Sequence, residues 1–289
     1  MINSSLVTTE NGDTEPNTYG KSKEWLFRGL AAVALKPYQE IEIRESGDPL
    51  VPIPIAEFAV VEPHPYVVLG APYGDRSPYY LRADVVRRLQ QAQAHLQQLQ
   101  PGWQLQIFDA YRPIPVQAFM VDYSFQTEAA QRGWSLDRLT ETQTQTLHAH
   151  VSHFWAAPSL DLATPPPHST GAAIDLTMVD AQQHPLDMGS PIDELSPRSY
   201  PDHFATTQDA QAQKFHQARQ LLQAVMVTAG FRQHPAEWWH FSYGDQLWAW
   251  LETTQPVVHA SPQSQPEAVT NASAQATLAC YGRADCLAA

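Results

Sequence analysis

The sequence predicts a single α+β domain in which a small, mostly antiparallel sheet is flanked by helices. Three observations support this fold class. Apolar residues recur at helical spacing over residues 80–99, and apolar and polar residues alternate over residues 103–109. Two further strand-like runs, at residues 173–179 and 237–243, lie far apart in the chain. These helices and strands are expected to pack around one hydrophobic core.

Chain length and composition limit the domain organisation. The 289 residues are enough for one domain of roughly 200 to 250 residues. We expect this domain to occupy residues 21–253. Residues 1–20 and 254–289 are polar and lack periodicity, so they are expected to be disordered. The only cysteines, Cys280 and Cys286, both lie in the second of these segments, so no disulfide framework is expected to hold the fold together.

The charge of the chain excludes one class of partner. With 30 acidic and 17 basic residues, the net charge of −13 would repel the phosphate backbone of a nucleic acid. The N-terminus lacks the basic start and apolar middle of a signal peptide. No stretch approaches the ~20 apolar residues that a membrane-spanning helix requires. We therefore expect a cytoplasmic protein without a nucleic-acid or membrane partner.

The first half of the chain changes from irregular to regular structure. Residues 37–78 are interrupted by prolines and glycines, which predicts extended segments and turns whose aromatic residues could line a cleft. Residues 80–99 are then predicted to form an amphipathic helix, because their apolar residues share one face. The alternating run at residues 103–109 predicts a half-buried strand, which leads directly into the sequence Ala-Tyr-Arg-Pro at residues 110–113.

The second half of the chain predicts helices that alternate with strands. Residues 115–132 and 135–155 are expected to form helices, and a long helix is expected over residues 208–229. Residues 173–179 alternate in a pattern typical of a strand, with one apolar face that would point to the core. The last strand is expected over residues 237–243.

Two short clusters beside these later strands contain side chains suited to metal binding. They are His168 with Asp175, and Glu237 with His240. Two neutral imidazoles and one carboxylate suit a borderline-soft divalent metal and leave a fourth coordination position for water. The remaining carboxylate could then take a proton from that water. The predicted sheet could therefore carry a hydrolytic zinc site.

Spacing gives each member of these clusters a different position. His168 and Asp175 are seven residues apart, so a turn at Gly171 must bring the histidine back towards the strand. Asp175 is predicted to point away from the apolar face of that strand. Glu237 and His240 differ by three positions and would face opposite sides of a regular strand, so Glu237 is expected in the entry turn, off the metal. A solvated turn carboxylate is the alternative for Glu237.

Arg112 is a further candidate, at a predicted junction between a strand and a helix. Pro113 fixes the backbone there, so a cation at this position could stabilise a developing oxyanion. A surface salt bridge fits the same residues equally well. The chain has 12 histidines, and those other than the two candidate ligands, including His64 and His234, are expected to occupy ordinary surface or core positions.

Four motifs together carry a resemblance to a known family. They lie in the same order as in that family, at residues 109–113, 168–177, 187–194 and 237–241. Over residues 25–252 the chain resembles the D-alanyl-D-alanine dipeptidases, which are zinc peptidases of the vancomycin-resistance dipeptidase type. The resemblance implies one zinc ion per chain. It also implies hydrolysis of D-alanyl-D-alanine, or of related D-amino-acid dipeptides with a free N-terminus, to free amino acids.

The resemblance also implies a role for each candidate residue. The implied zinc ligands are His168, Asp175 and His240. Glu237 matches the catalytic base, Arg112 matches the residue that stabilises the oxyanion, and Asp193 matches the residue that binds the free amino group of the substrate.

Pro166 departs from the family pattern. A member of the family has a serine at this position, two residues before the first histidine ligand, and proline offers no side-chain hydrogen bond. A substrate range broader than D-alanyl-D-alanine is therefore open.

Two other functions compete with the dipeptidase. A D,D-carboxypeptidase on the same scaffold would trim longer cell-wall peptides and would tolerate a blocked N-terminus. A non-catalytic binding module stabilised by zinc would need neither Glu237 nor Arg112. The sequence does not choose between cell-wall dipeptide turnover and drug resistance as the purpose of a dipeptidase.

Overall fold

The computed structural model describes residues 36–255 and 278–286. The predicted disorder of residues 1–20 and the first part of the expected domain, residues 21–35, lie outside the described residues. Of the helices within these two described ranges, none combines the length and the apolar character that crossing a membrane requires.

The strands form a five-stranded sheet and a separate pair. In chain order they are β1 (Leu50–Pro52), β2 (Ala59–Val60), β3 (Tyr80–Arg82), β4 (Gln104–Asp109), β5 (Ala173–Val179), β6 (Arg232–Gln233) and β7 (His240–Ser242). The larger sheet has the order β2-β4-β5-β7-β6, and β1 pairs with β3. Only the β2-β4 pair of the larger sheet is parallel. The prediction of a small, mostly antiparallel sheet is confirmed.

The helices lie around this sheet. They are α1 (Pro65–Val68), α2 (Ala83–Leu99), α3 (Ile114–Gln131), α4 (Glu141–Phe154), α5 (Ala210–Thr228) and α6 (Gln246–Thr254). Helices α2 and α5 pack against each other, and α3 packs against α4. The predicted α+β fold class is confirmed.

The main core lies between the sheet and the α2-α5 layer. Leu89 of α2 and Val225 of α5 are fully buried with Ile107 and Leu176 from the two central strands. Burial of each such side chain stabilises the fold by about 1.5–3 kcal/mol relative to exposure. A second cluster joins α3 and α4 to residues 66–73, and Phe108 packs against it.

The helix predicted over residues 80–99 begins three residues later than expected. Tyr80–Arg82 is strand β3, which pairs with Leu50–Pro52, and the helix begins at Ala83. The prediction was wrong for these residues because pairing with β1 supplies hydrogen-bond partners that a helix would otherwise provide, and tertiary context overrides a weak local propensity.

The helix predicted over residues 135–155 is also shorter than expected. It begins at Glu141, and Leu136–Arg138 forms a separate 3-10 turn. Thr140 is the N-cap: its Oγ1 accepts a hydrogen bond of 3.2 Å from Gln143 N, and Gln143 Oε1 accepts one of 2.9 Å from Thr140 N. This reciprocal capping box satisfies two free amide groups and fixes the start of the helix at this threonine.

Strand β5 is buried along its whole length. Its apolar residues Ile174 and Leu176 face the main core, as predicted. The opposite face is covered as well, so Asp175 is only 2% exposed. The alternating pattern gave the correct side for this carboxylate but not its burial, because β5 lies centrally between β4 and β7 with packed layers on both faces.

The C-terminal segment differs from its predicted disorder. Residues 278–286 lie against the domain, with Ala279 and Tyr281 fully or almost fully buried. Ala279 forms a parallel bridge with Ile43, and backbone hydrogen bonds join residues 279–280 to residues 42–46. The prediction for residues 254–289 is therefore wrong over 278–286, because the polar average of a long segment concealed a short apolar anchor. Residues 256–277 and 287–289 lie outside the described residues.

Candidate metal centre

The backbone brings three candidate ligands together from one turn and two strands. His168 lies in a 3-10 turn, Pro167–Thr170, which Gly171 ends with φ +70° before the chain enters β5. Such a positive φ is a conformation that favours glycine. In the sheet, Asp175 of β5 pairs directly with His240 of β7. The predicted turn at Gly171 is thus present, and it places His168 beside the paired strands.

The possible ligand atoms of this group lie close together. His168 Nε2 lies 3.2 Å from His240 Nδ1. The two nitrogens approach different oxygens of Asp175: His168 Nε2 lies 3.2 Å from Oδ2, and His240 Nδ1 lies 3.1 Å from Oδ1. With one ligand atom from each residue, all of these atoms lie within 4.8 Å of one another. Since the three side chains are buried and converge, the group could hold a metal ion.

Hydrogen bonds on the far sides of both imidazoles orient their lone pairs towards this centre. His168 Nδ1 donates to the carbonyl oxygen of Ala110 at 2.7 Å, which leaves Nε2 as the bare nitrogen. His240 Nε2 lies 3.4 Å from Ser242 Oγ, and this hydroxyl donates to Asp245 Oδ2 at 2.8 Å. Such outer partners fix the tautomer and the orientation of metal-binding histidines. Both bare nitrogens therefore face the centre of the group.

The carboxylate of Asp175 adds a negatively charged oxygen donor to the two bare imidazole nitrogens. Within the described residues its Oδ1 atom is buried and has no hydrogen-bond partner, because the approach of His240 does not have hydrogen-bond geometry. Converging lone pairs and an anion repel one another, so this arrangement fits a bound cation.

Arg112 lies beside the metal ligands and is fully surrounded. Its Nε donates to Asp109 Oδ2 at 3.0 Å and its Nη1 donates to Gln117 Oε1 at 3.0 Å. Its Nη2 lies 3.2 Å from Asp175 Oδ2 and 3.3 Å from the Tyr66 hydroxyl. The guanidinium is only 3% exposed, which excludes the surface salt bridge that the sequence left open.

Asp109 anchors this arginine and was missed by the sequence analysis as a site residue. It is completely buried, and its Oδ1 accepts hydrogen bonds from the Tyr73 hydroxyl at 2.9 Å and from His64 Nε2 at 3.1 Å. Burial raises the pKa of Asp109, but Arg112 and the histidines hold it below the ordinary value. Its place at the start of the motif at residues 109–113 was the available signal. His64, predicted to be ordinary, belongs to the support of the site.

Asp193 faces the same cavity from the loop after β5. It has φ +65°, which is uncommon for a residue other than glycine, and the Tyr66 hydroxyl donates to its Oδ2 at 2.7 Å. Burial and the negative charge of Asp175 raise the pKa of Asp193 to about 7. No pattern in the sequence pointed to Tyr66, which now links Asp193 to Arg112.

Glu237 lies outside β7, in the turn where the sequence placed it. Its Oε2 atom is 3.7 Å from His240 Nδ1, and its Oε1 atom is 3.7 Å from His234 Nδ1. Both distances are longer than a hydrogen bond, so the carboxylate lies next to the three-residue group without joining it. It is 7% exposed, and burial together with the charge of Asp175 raises its pKa well above the ordinary value. A solvated turn carboxylate is therefore excluded.

One cavity connects all these groups. The residues predicted from the sequence that line it are Arg112, His168, Asp175, Asp193, Glu237 and His240. Lys36, His234 and Trp155 also line it, and none of them was singled out from the sequence. Burial and the neighbouring His240 lower the pKa of His234 well below the ordinary value, so this ring is neutral. The cavity therefore combines a possible metal site with two free carboxylates and a guanidinium.

The family model that matches the chain and two similar proteins all carry the name D-alanyl-D-alanine dipeptidase. The D-ala-D-ala dipeptidase family model matches residues 59–261. A D-alanyl-D-alanine dipeptidase from Synechocystis sp. is 48% identical over 222 residues, which cover 75% of this chain and 90% of that protein. A protein of the same name from Escherichia coli is 33% identical over 144 residues, which cover 48% of this chain and 55% of that protein.

A solved structure is also similar. It is a vancomycin-resistance D,D-pentapeptidase in complex with Zn(II), with a TM-score of 0.36 and 15% identity, over 59% of this chain and 76% of that one.

Proposed function

The chain belongs to the D-alanyl-D-alanine dipeptidase family of peptidases, and we propose that its buried site binds one zinc ion and hydrolyses D-alanyl-D-alanine to two molecules of D-alanine. Related dipeptides with a free N-terminus are further candidate substrates. One observation supports this proposal above all others. The His-Asp-His group shares its cavity with a carboxylate that is not a ligand, a fixed guanidinium and a second, partly buried carboxylate, which together suit water activation, charge stabilisation and ammonium binding.

Zinc suits the donor set. Two imidazole nitrogens and one carboxylate, with no fourth protein ligand among the described residues, are typical of a catalytic zinc site with an open position. When bound, zinc would polarise the scissile carbonyl group and lower the pKa of water towards ~7. His168, Asp175 and His240 would hold that ion. The contacts of the second ring nitrogen of each histidine orient the two imidazoles towards it.

Glu237 is the proposed general base. It lies beside the ligands but off them, so its carboxylate is free to accept the proton of the attacking water and to pass it to the leaving amine. Burial and the charge of Asp175 raise the pKa of Glu237, which makes its carboxylate a stronger proton acceptor. The products are one carboxylate and one ammonium group, so both hydrogen atoms of the water end on the nitrogen of the leaving amine.

Arg112 is the proposed oxyanion-stabilising residue. Asp109 and Gln117 hold its guanidinium by Nε and Nη1, and Nη2 is directed to the metal ligand Asp175. A cation fixed in this way needs no reorganisation as negative charge develops on the substrate carbonyl oxygen.

Asp193 is the proposed site for the substrate ammonium. A partly buried carboxylate that faces the cavity would be stabilised by a cationic partner, and the hydrogen bond from Tyr66 leaves its Oδ1 atom available to the substrate. Pro166, which precedes the turn of His168, cannot donate or accept a side-chain hydrogen bond. We therefore propose preference for a free amino end with a range that extends beyond D-alanyl-D-alanine.

A two-substrate assay tests this function. The zinc-loaded protein should release D-alanine from D-alanyl-D-alanine but not from its N-acetyl derivative, because acetylation leaves Asp193 without a cationic partner. Cleavage of the acetylated substrate at an equal or higher rate would instead support a D,D-carboxypeptidase for longer cell-wall peptides. No release from either substrate, with zinc confirmed in the protein, would leave only a non-catalytic module.

The cytoplasmic location stays a prediction from composition.

A further inference from the structure

The partly buried C-terminal segment, residues 278–286, packs against the turn that carries His168 and against the turn that follows His240. We call this segment the C-terminal clasp. It lies beyond the family match, which ends at residue 261, so no part of the shared family pattern explains it. The backbone of the clasp forms hydrogen bonds with residues 42–46, which lie before the matched region. Two elements outside the family match thus join at the back of the metal site.

The first contact is with the turn that follows His240. The carbonyl oxygen of Gly244 accepts hydrogen bonds from Cys280 N at 2.8 Å and from Tyr281 N at 3.1 Å. Gly244 has φ +80°, and a Cβ atom at this position would lie 2.6 Å from the Tyr281 ring and 2.7 Å from Cys280 Sγ. The turn therefore requires glycine both for its conformation and for the close approach of the clasp.

This turn is connected to the ring of His240. Gly244 lies between Ser242 and Asp245, whose side chains form the chain of contacts to His240 Nε2. Asp245 is fully buried and also caps helix α6 through a hydrogen bond of 2.8 Å from Trp248 N. Displacement of Gly244 would move both outer partners of the histidine.

The second contact reaches the turn of His168 through Arg82. The carbonyl oxygen of Gly282 accepts a hydrogen bond of 2.9 Å from Arg82 Nη2, and the Tyr281 ring centroid lies 5.2 Å from the guanidinium carbon. On its other side, Arg82 Nε donates to Thr170 O at 2.7 Å and its backbone N donates to Gly171 O at 2.8 Å. One side chain therefore links the clasp to the ligand turn.

Arg82 depends on the clasp for its own stability. It is completely buried, and Glu45 accepts from both of its terminal nitrogens at 3.0 and 3.1 Å. The same carboxylate accepts a hydrogen bond of 2.7 Å from Gly282 N, so the clasp also holds Glu45 in place. Without the clasp, a buried cation would lose one acceptor, its aromatic cover and part of the support of its counter-ion.

We propose that the C-terminal clasp is a positioning element for the metal site, which holds the turn of His168 and the turn that follows His240 at the separation that a metal ion requires. No clasp residue lines the cavity of the site, so it acts through Arg82 and Gly244. Loss of an outer partner of a metal ligand typically lowers metal affinity by roughly 10- to 100-fold. The inference rests on the proposed zinc function and deepens it.

The test compares zinc affinity in full-length variants by competition with a chelator. Tyr281→Ala removes the ring that covers Arg82 and should lower zinc affinity by roughly 10-fold or more. Tyr281→Phe keeps that ring and should retain the affinity of the parent. Leu96→Ala, at a fully buried position of α2 in the main core, is the control for a general loss of stability and should also retain it.

Amide hydrogen exchange in the metal-free protein gives a second readout. Tyr281→Ala should accelerate exchange at residues 169–172 and 242–245 more than Leu96→Ala does. Equal zinc affinity in Tyr281→Ala and the parent, or an equal loss in Leu96→Ala, would overturn the positioning role. If Tyr281→Ala does not fold, Gly282→Ala replaces it, because the added Cβ would lie only 3.2 Å from Glu45 Oε2. A parent protein that binds no zinc would overturn the proposed function, and the exchange data would still decide the role of the clasp.

Discussion

Asp175 and His240 are direct neighbours across strands β5 and β7, and their side chains approach to 3.1 Å on the same face of the sheet. Residues 65 positions apart in the chain thus owe their proximity to strand register. A shift of one residue would turn one of the two side chains to the opposite face. The sheet therefore fixes one edge of the candidate metal site, and the turn of His168 supplies the third donor.

Replacement of Glu237 tests the general base. We expect Glu237→Gln to lower kcat by several orders of magnitude, since the amide keeps the size of the side chain but cannot accept the proton of water. The zinc content, measured by atomic emission, should equal that of the parent because Glu237 is not a ligand. A variant that loses zinc together with activity would contradict the separation of these two roles.

Replacement of Arg112 tests the oxyanion role. Arg112→Ala should lower kcat by roughly 10²- to 10³-fold, as expected for the loss of one oxyanion donor. Arg112→Lys should restore little activity, because an ammonium group cannot contact Asp109, Gln117 and Asp175 together as the planar guanidinium does. Steady-state kinetics on variants that keep the circular-dichroism spectrum of the parent provide the measurement. If the lysine variant is nearly as active as the parent, the planar guanidinium of Arg112 is not required for oxyanion stabilisation.

Replacement of Asp193 tests ammonium binding. Asp193→Asn should raise KM for D-alanyl-D-alanine by at least 10-fold, because the neutral amide loses the charge-assisted contact with the substrate amine. The same variant should reduce the difference in kcat/KM between the free and the N-acetylated dipeptide, because the acetylated substrate does not make that contact even in the parent. An unchanged ratio of kcat/KM for the two substrates would exclude Asp193 as the anchor.

The pH profile should show an acid limb that belongs to Asp193. Its pKa is raised to about 7 by burial and by the charge of Asp175, so the carboxylate is ionised above that pH and protonated below it. We expect kcat/KM for D-alanyl-D-alanine to fall as the pH decreases through about 7. The hydroxyl of Tyr66 lowers this pKa, so Tyr66→Phe should move the limb to higher pH. A limb that does not move would assign the titration to another group, with Glu237 the first candidate.

Zinc should stabilise the fold as well as supply reactivity. In the metal-free protein the lone pairs of His168, Asp175 and His240 repel one another at 3.1–3.2 Å, and a cation would remove that repulsion. Zinc at about 1,000 times its Kd should stabilise the folded state by about 4 kcal/mol, measured as a rise in Tm. His168→Ala should abolish most of this rise. An equal rise in that variant would show that zinc binds elsewhere.

Parts of the fold were accessible from the sequence. The strand predicted at residues 173–179 has the observed bounds, and the helix predicted at 115–132 is shifted by one residue. In both, the local pattern predicted the extent of the element, although it did not predict that both faces of β5 are buried. Where they disagree, at Tyr80–Arg82, pairing with a distant strand decided the outcome.

The residues that hold the site residues in place could not be identified from the sequence. Tyr66 and His64 come from an irregular, proline-rich segment whose path no periodicity specifies, yet they contact Asp193 and Asp109. Residues 278–286 lie in a segment of disordered composition but are anchored by Tyr281. These contacts depend on packing between parts of the chain far apart in sequence.

The donor types, the family and the positions of the candidate residues were readable from the sequence, because imidazole, carboxylate and guanidinium chemistry belongs to the side chains and motif order belongs to the chain. The folded structure was needed to show that His168, Asp175 and His240 converge and that Arg112 and Glu237 are buried beside them. It was also needed to show that Arg82 joins the turn of His168 to the C-terminal clasp. Distances between residues far apart in the chain are set by strand register and side-chain packing, and neither can be read from local sequence patterns.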